Sequence, residues 1–241
     1  MTVNKYSHSF KLFGGWLAVV AGILVFVSLY VGVAGVNFDF EVFSDTTAIM
    51  AAGAGAAGSI RWSNWLFMFG NYLFLIPLII YYHFSLEQES QAWRFLLTMC
   101  GMLYMIFGAV GSAILASAWP LLIEQYATAS SAQQEMLLLE FRVVDAIAEV
   151  ALHGVIQNVL GVVWFTGIGN LMRKERPIVG IFAMGIGLIL AINTVGNLFN
   201  MEALNVFGLL ANILFGPVWY LLAGFSLIRA AAGDKRGQRA E

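Results

Sequence analysis

The residues able to do chemistry in this sequence gather in one stretch, RVVDAIAEVALHGVIQN, from Arg142 to Asn158. Arg142, Asp145, Glu149, His153 and Gln157 are spaced 3, 4, 4 and 4 residues apart in an otherwise apolar run. At about 100° per residue they share an arc of roughly 120° on one helical face. Val143, Ile147, Val150, Leu152 and Val155 cover the opposite face. Carboxylates and an imidazole one turn apart suit three roles. As a ladder, Asp145, Glu149 and His153 can relay protons or hold a cationic or hydrogen-bonding small molecule. As a metal site, Glu149 and His153 are the candidate ligands, joined by Asp145 or an asparagine from another helix. Their spacing is not HExxH, and His8 and His83 belong to segments that thread to the opposite side. As structure alone, Arg142 pairs with Asp145 at i,i+3, Glu149 bonds His153 at i,i+4, and asparagines on other helices act as hydrogen-bonding glue.

The elements that must position these residues are membrane spans. Of the 241 residues, 60% are hydrophobic and 11% charged, against about 25% charged in soluble domains. A helix crosses a roughly 30 Å hydrocarbon core with about 20 apolar residues. Six segments meet that length: 13–36, 62–84, 95–118, 146–172, 178–199 and 204–228. The expected fold class is therefore all-α, a polytopic membrane protein with six transmembrane helices in one bundle. Ten of the twelve Lys and Arg residues, from Lys5 and Lys11 to Lys235, Arg236 and Arg239, flank one side of these spans. Only Arg61 and Arg142 flank the other, where Glu41 and most other acids lie. The positive-inside bias then places both termini in the cytoplasm and the chain in the inner (plasma) membrane. A net charge of −2 without a dense basic face speaks against nucleic-acid binding. Cys100 has no second cysteine to pair with and reads as packing.

Two external connections carry local signals. Within 37–61, Ser44 or Asp45 is a candidate cap for a short interfacial helix, and a Gly/Ala run then releases the chain into the second span. Within 120–145, SAQQ from Ser131 to Gln134 reads as a capping box. It opens an external helix over about 131–145 that continues into the fourth span and stands proud of the membrane. Pro77 and Pro217 are expected to kink the second and sixth spans. Gly101, Gly108, Ser112 and Ala116 form a small-residue packing stripe, and Trp62, Trp65, Trp93 and Trp119 read as interfacial anchors.

Polar residues of the other spans concentrate in the outer half, among them Asn71, Asn193, Asn197 and Asn205. That asymmetry implies an outward-facing polar pocket built from Arg142, Asp145, Glu149, His153, Gln157, Asn71, Asn193 and Asn197.

A basic residue precedes a Gly-rich first span, KLFGGWLAVVAGILVFVSLYVG; an external loop carries an acid and a short apolar helix, SDTTAIMAA; and the second span ends in an aromatic turn, IIYYHF. In these features the chain resembles a bacterial six-helix membrane family known as domain of unknown function 4386. The family has no established activity, so the resemblance implies a multi-pass bacterial membrane protein and transfers no catalytic residue. The function expected is binding or passing a small polar ligand or protons. One alternative is an intramembrane enzyme, a metal-assisted hydrolase or redox protein acting on a lipid-soluble substrate. The other is a structural or assembly subunit whose partner in a membrane complex docks on the outer helix. No catalytic residue or cofactor is assigned from the sequence.

Overall fold

A computed structural model describes residues 8–39, 42, 45–85 and 90–238, with side chains up to residue 233. Lys5, Glu41, Ser44 and Arg239, and the side chains of Lys235 and Arg236, lie outside the described residues. The elements are α1 (His8–Gly35), α2 (Thr46–Ala51), α3 (Gly53–Asn71), α4 (Ile76–Ser85), α5 (Gln91–Tyr126), α6 (Ser131–Asp145), a π-helical segment (Ala146–Gln157), α7 (Asn158–Met172), α8 (Pro177–Leu198) and α9 (Glu202–Gln238). Among the described residues six helical paths are long and apolar enough to cross a membrane: α1, α3 with α4, α5, α6 through α7, α8 and α9. A multi-pass membrane protein is the architecture that such a set suggests.

Paths adjacent in sequence pack side by side, and α1 packs on α9, so the six close into a ring. Its centre is filled by large side chains. Leu75, Leu78, Tyr104, Trp164, Phe165 and Trp219 are all fully buried. Their rings meet edge to face, Trp164 on Phe165 at 4.5 Å and Phe165 on Trp219 at 5.2 Å, an arrangement that the aromatic quadrupole favours. The seam between α1 and α9 closes because small residues let the backbones approach, as helix pairs in lipid require. A Cβ on Gly15 would stand 2.8 Å from Ile228 Cγ1 and 3.0 Å from the Gly224 carbonyl.

At the end of the ring opposite the termini, α2, the start of α3, the end of α5 and α6 form a cap with its own core, including Met50, Ala57, Leu122, Ile123 and Phe141. This core explains where the structure departs from the sequence expectation. The third path passes through Pro120 to Tyr126 and does not stop near 118, because Leu122 and Ile123 are buried in the cap and hold the helix beyond the missing proline N–H. Trp119 stacks on Phe141 at 5.1 Å, as part of the cap core. Asp45 caps α2, its Oδ1 accepting from Thr47 N–H at 2.8 Å. Gly53, at φ +80°, then turns the chain directly into α3, which starts well before residue 62. The capping box of α6 sits one residue earlier than expected. Ser130 is the N-cap, and its backbone N–H donates to Gln133 Oε1 at 2.9 Å.

Pro77 interrupts the second path one turn upstream of itself. Its ring excludes the Leu73 carbonyl, and Leu73–Leu75 tightens into a 3-10 turn between α3 and α4. The break lets the consecutive residues Asn71 and Tyr72 both turn into the ring, where both are buried. The helix α9 continues through Pro217.

The α1–α9 seam is testable by thermal unfolding in detergent. Gly15→Leu forces the seam apart and is expected to cost roughly 1–3 kcal/mol by overpacking. Gly185→Leu, with nothing within 4 Å of its added Cβ, leaves the Tm unchanged. Equal stability of the two variants would contradict the seam.

Candidate functional site

The polar stripe lies where the path from α6 to α7 changes winding. Ala146–Gln157 is π-helical, with i→i+5 bonding and a wider turn than the α-helix. In an α-helix each four-residue step overshoots a turn by about 40°. The wider winding brings the turn closer to four residues, so Asp145, Glu149, His153 and Gln157 align more nearly as a column. The column runs inward from the cap. Arg142 is exposed, Asp145 is half-buried, the Glu149 side chain is 35% exposed, that of His153 13%, and Gln157 is buried.

His153 is held from two sides. Its Nε2 lies 3.0 Å from the Gly108 carbonyl of α5, and its Nδ1 lies 3.4 Å from Glu149 Oε2. A carbonyl only accepts, so Nε2 carries a hydrogen and donates it to Gly108. The exchangeable position is then Nδ1, which faces the carboxylate. A proton placed there makes the ring an imidazolium that donates to the Glu149 carboxylate. Two glycines make room for this arrangement. A Cβ on Gly111 would collide with the His153 ring, and one on Gly108 with the Tyr72 ring, which lies 6.0 Å from the imidazole. The expected small-residue stripe on α5 is therefore the seat of these two rings as well as a packing surface.

At its inner end the column joins a central cluster. Gln157 and the Tyr72 hydroxyl are paired, with Tyr72 Oη 3.2 Å from Gln157 Nε2 and 3.3 Å from its Oε1. Tyr104 of α5 turns its hydroxyl toward Gln157, Asn71 and Tyr220. Tyr220 of α9 donates to Asn71 Oδ1 at 2.6 Å. Four of the six paths thus contribute a polar group to the middle of the ring. Sequence reasoning included Asn71 and Gln157 but missed Tyr72, Tyr104 and Tyr220. The available signal was a tyrosine deep in an apolar span, whose hydroxyl needs a partner there.

The remaining expected residues lie elsewhere. Asn193 and Asn197 belong to a separate amide cluster near the cap end of α7, α8 and α9. Asn158 Nδ2 donates to Asn193 Oδ1 at 2.5 Å, Asn193 Nδ2 to Asn205 Oδ1 at 2.8 Å, and Asn197 Nδ2 to Asn205 Oδ1 at 3.1 Å. These groups satisfy one another and join three helices, as interhelical glue does. Arg142 makes no ion pair with Asp145; it is exposed on α6, and the charge facing Asp145 is Glu149. Among the described residues no group of three or more His, Cys, Asp or Glu is placed to hold a metal. Glu149 and His153 form a two-member set with Nε2 already committed. A cleft of about 450 Å³ opens between α5 and α6, lined mainly by apolar residues including Leu121, Leu139 and Val143. The column does not line it.

Seating of the imidazole predicts the effect of filling its space. Gly111→Val displaces His153 from Gly108 and is expected to cost roughly 1–3 kcal/mol in thermal unfolding. A variant as stable as wild type would contradict the seat. In comparisons with known proteins, no family model, no curated protein and no solved structure matches the chain.

Proposed function

We propose that the chain is a multi-pass protein of a bacterial inner (plasma) membrane, with both termini cytoplasmic, whose polar column binds or passes protons or a small polar ligand from the outer side. The ten-to-two distribution of basic residues supports the orientation, and an even number of spans agrees with it. Membership of the family known as domain of unknown function 4386 is part of the same reading.

The observation that carries the functional reading is the committed Nε2 of His153. Because that nitrogen donates to Gly108, protons reach the imidazole through Nδ1 and Glu149, and Glu149 is the more exposed of the two. The carboxylate is the port and the imidazole the store. Asp145, one turn toward the cap, adds negative charge that draws cations to the port.

A second reading, as an assembly subunit of a membrane complex, is favoured by the apolar row that α6 exposes outside both cores. Met136, Leu139 and Val143 are 65%, 63% and 51% exposed. A stoichiometric partner that copurifies and is lost in Leu139→Glu would favour this role.

Proton uptake by the protein reconstituted in liposomes, followed with a pH dye across about pH 5 to 8, tests the primary reading. Wild type is expected to take up one more proton per chain than Glu149→Gln or His153→Ala, with Asn193→Ala unchanged from wild type. Equal uptake by wild type and both column variants would remove the proton role.

A further inference from the structure

At the end of the ring that holds the termini, two guanidinium groups lack an acceptor. Arg94 stands near the start of α5, and Arg176 is the N-cap residue of α8. Arg94 Nε and Arg176 Nη1 are buried and make no hydrogen bond. Among the described residues neither side chain has an ion pair, and Glu175, the acid next to Arg176, is exposed. Tyr82, whose buried hydroxyl feels the Arg176 charge, is a neutral phenol and offers no countercharge. A guanidinium stays charged at any working pH, so burying part of it without a countercharge is costly. What this end of the ring lacks is an anion.

The last turn of α4 joins the two positions. His83 Nδ1 lies 2.7 Å from Thr98 Oγ1, which donates to the Arg94 carbonyl at 2.8 Å. Tyr82, the residue before His83, is the one that feels Arg176. Leu97, one turn from Arg94, packs on Gly167 of α7, and the Arg176 N–H donates back to the Met172 carbonyl at the end of α7 at 2.8 Å. Both arginines are half-buried, so their heads are reached from the surface of the ring end and not through its filled core. Both also stand at helix N-termini, whose dipoles add positive potential, and Arg173 and Lys174 lie exposed between α7 and α8. Trp93 and Phe95 flank Arg94, and Ile178 follows Arg176; they are 40%, 62% and 63% exposed. Charge beside exposed apolar side chains at a span end matches an amphipathic anion. We infer that Arg94 and Arg176 bind a phosphate group between α5 and α8, each guanidinium fork holding its oxygens, with an anionic phospholipid headgroup as the source that the flanking apolar residues favour. The site lies at the opposite end from the cap and is independent of what the column carries.

Native mass spectrometry of the full chain in detergent, with phosphatidylglycerol or phosphatidylcholine added, tests the site. Wild type is expected to retain phosphatidylglycerol in preference to phosphatidylcholine. Arg94→Gln and Arg176→Gln are each expected to weaken that binding about tenfold, by loss of charge-assisted hydrogen bonds. Arg229→Gln, which removes an equal charge from an exposed position at the same end, keeps it. The Tm in sodium phosphate against sodium chloride of equal ionic strength separates the two sources of phosphate. A rise that both arginine variants lose, without a phosphatidylglycerol adduct, assigns the site to free phosphate. A wild type that discriminates neither between the two lipids nor between the two salts overturns the site, as does binding that Arg229→Gln weakens as much as Arg94→Gln.

Discussion

Hydrocarbon offers no hydrogen bonds, and helices long and apolar enough to cross it must satisfy every polar group from within the bundle. Nor does the bilayer press apolar helices together, since lipid tails are as apolar as leucine. The ring therefore rests on close backbone approach and on hydrogen bonds between paths. Ser28 and Ser63 show the pattern at the α1–α3 seam, each hydroxyl donating to the other's carbonyl at 2.9 Å. Trp219 Nε1 donates to the Val179 carbonyl at 2.9 Å and ties α9 to α8. The amide cluster of Asn158, Asn193, Asn197 and Asn205 does the same near the cap for α7, α8 and α9.

The same constraint shapes the column. The cap core holds α6 through Phe141, and the ring core holds α7 through Trp164 and Phe165. Between these two fixed ends lies the π-helical segment. A rare winding of this kind persists only when its surroundings hold it, and it is found often at functional sites. Here the surroundings are specific: Gly108 and Gly111 admit the Tyr72 and His153 rings, and Gly154 admits the Asn197 amide from α8. Winding, glycine seats and the bond from His153 to Gly108 form one unit, so the Glu149–His153 pair occupies a defined place in the wall of the ring.

Much of the architecture was legible in the sequence, because hydropathy over about 20 residues is a local property. The six paths, the continuous helix from 131 into the fourth span, the Asp45 cap and the Glu149–His153 contact all follow from composition, i,i+4 spacing and turn chemistry. What escaped was tertiary. The third span was drawn to end at 118 because the cap core that carries α5 on through Pro120 is assembled from α2, α3 and α6, which no local pattern reveals. Trp119 read as an interfacial anchor for the same reason. Arg142 read as the partner of Asp145 because spacing permits the pair without requiring it. The candidate pocket was drawn as one set, yet its members divide between the column, the amide cluster and the central cluster. Asn71 reached the centre through a break that only Pro77 hinted at. Tyr72, Tyr104 and Tyr220 sit in three different spans, and nothing in one span announces its partner in another.

The central claim is that Nε2 of His153 stays protonated on Gly108 while Nδ1 exchanges its proton through Glu149. Nitrogen-15 NMR of the histidine side chains in lipid-reconstituted protein, assigned with His153→Ala, tests it most directly. On titration across about pH 5 to 8, the account expects a protonated Nε2 throughout and a change of state at Nδ1 alone, altered in Glu149→Gln. A neutral His153 protonated at Nδ1 with a bare Nε2, or a ring whose two nitrogens do not respond to pH, would contradict it.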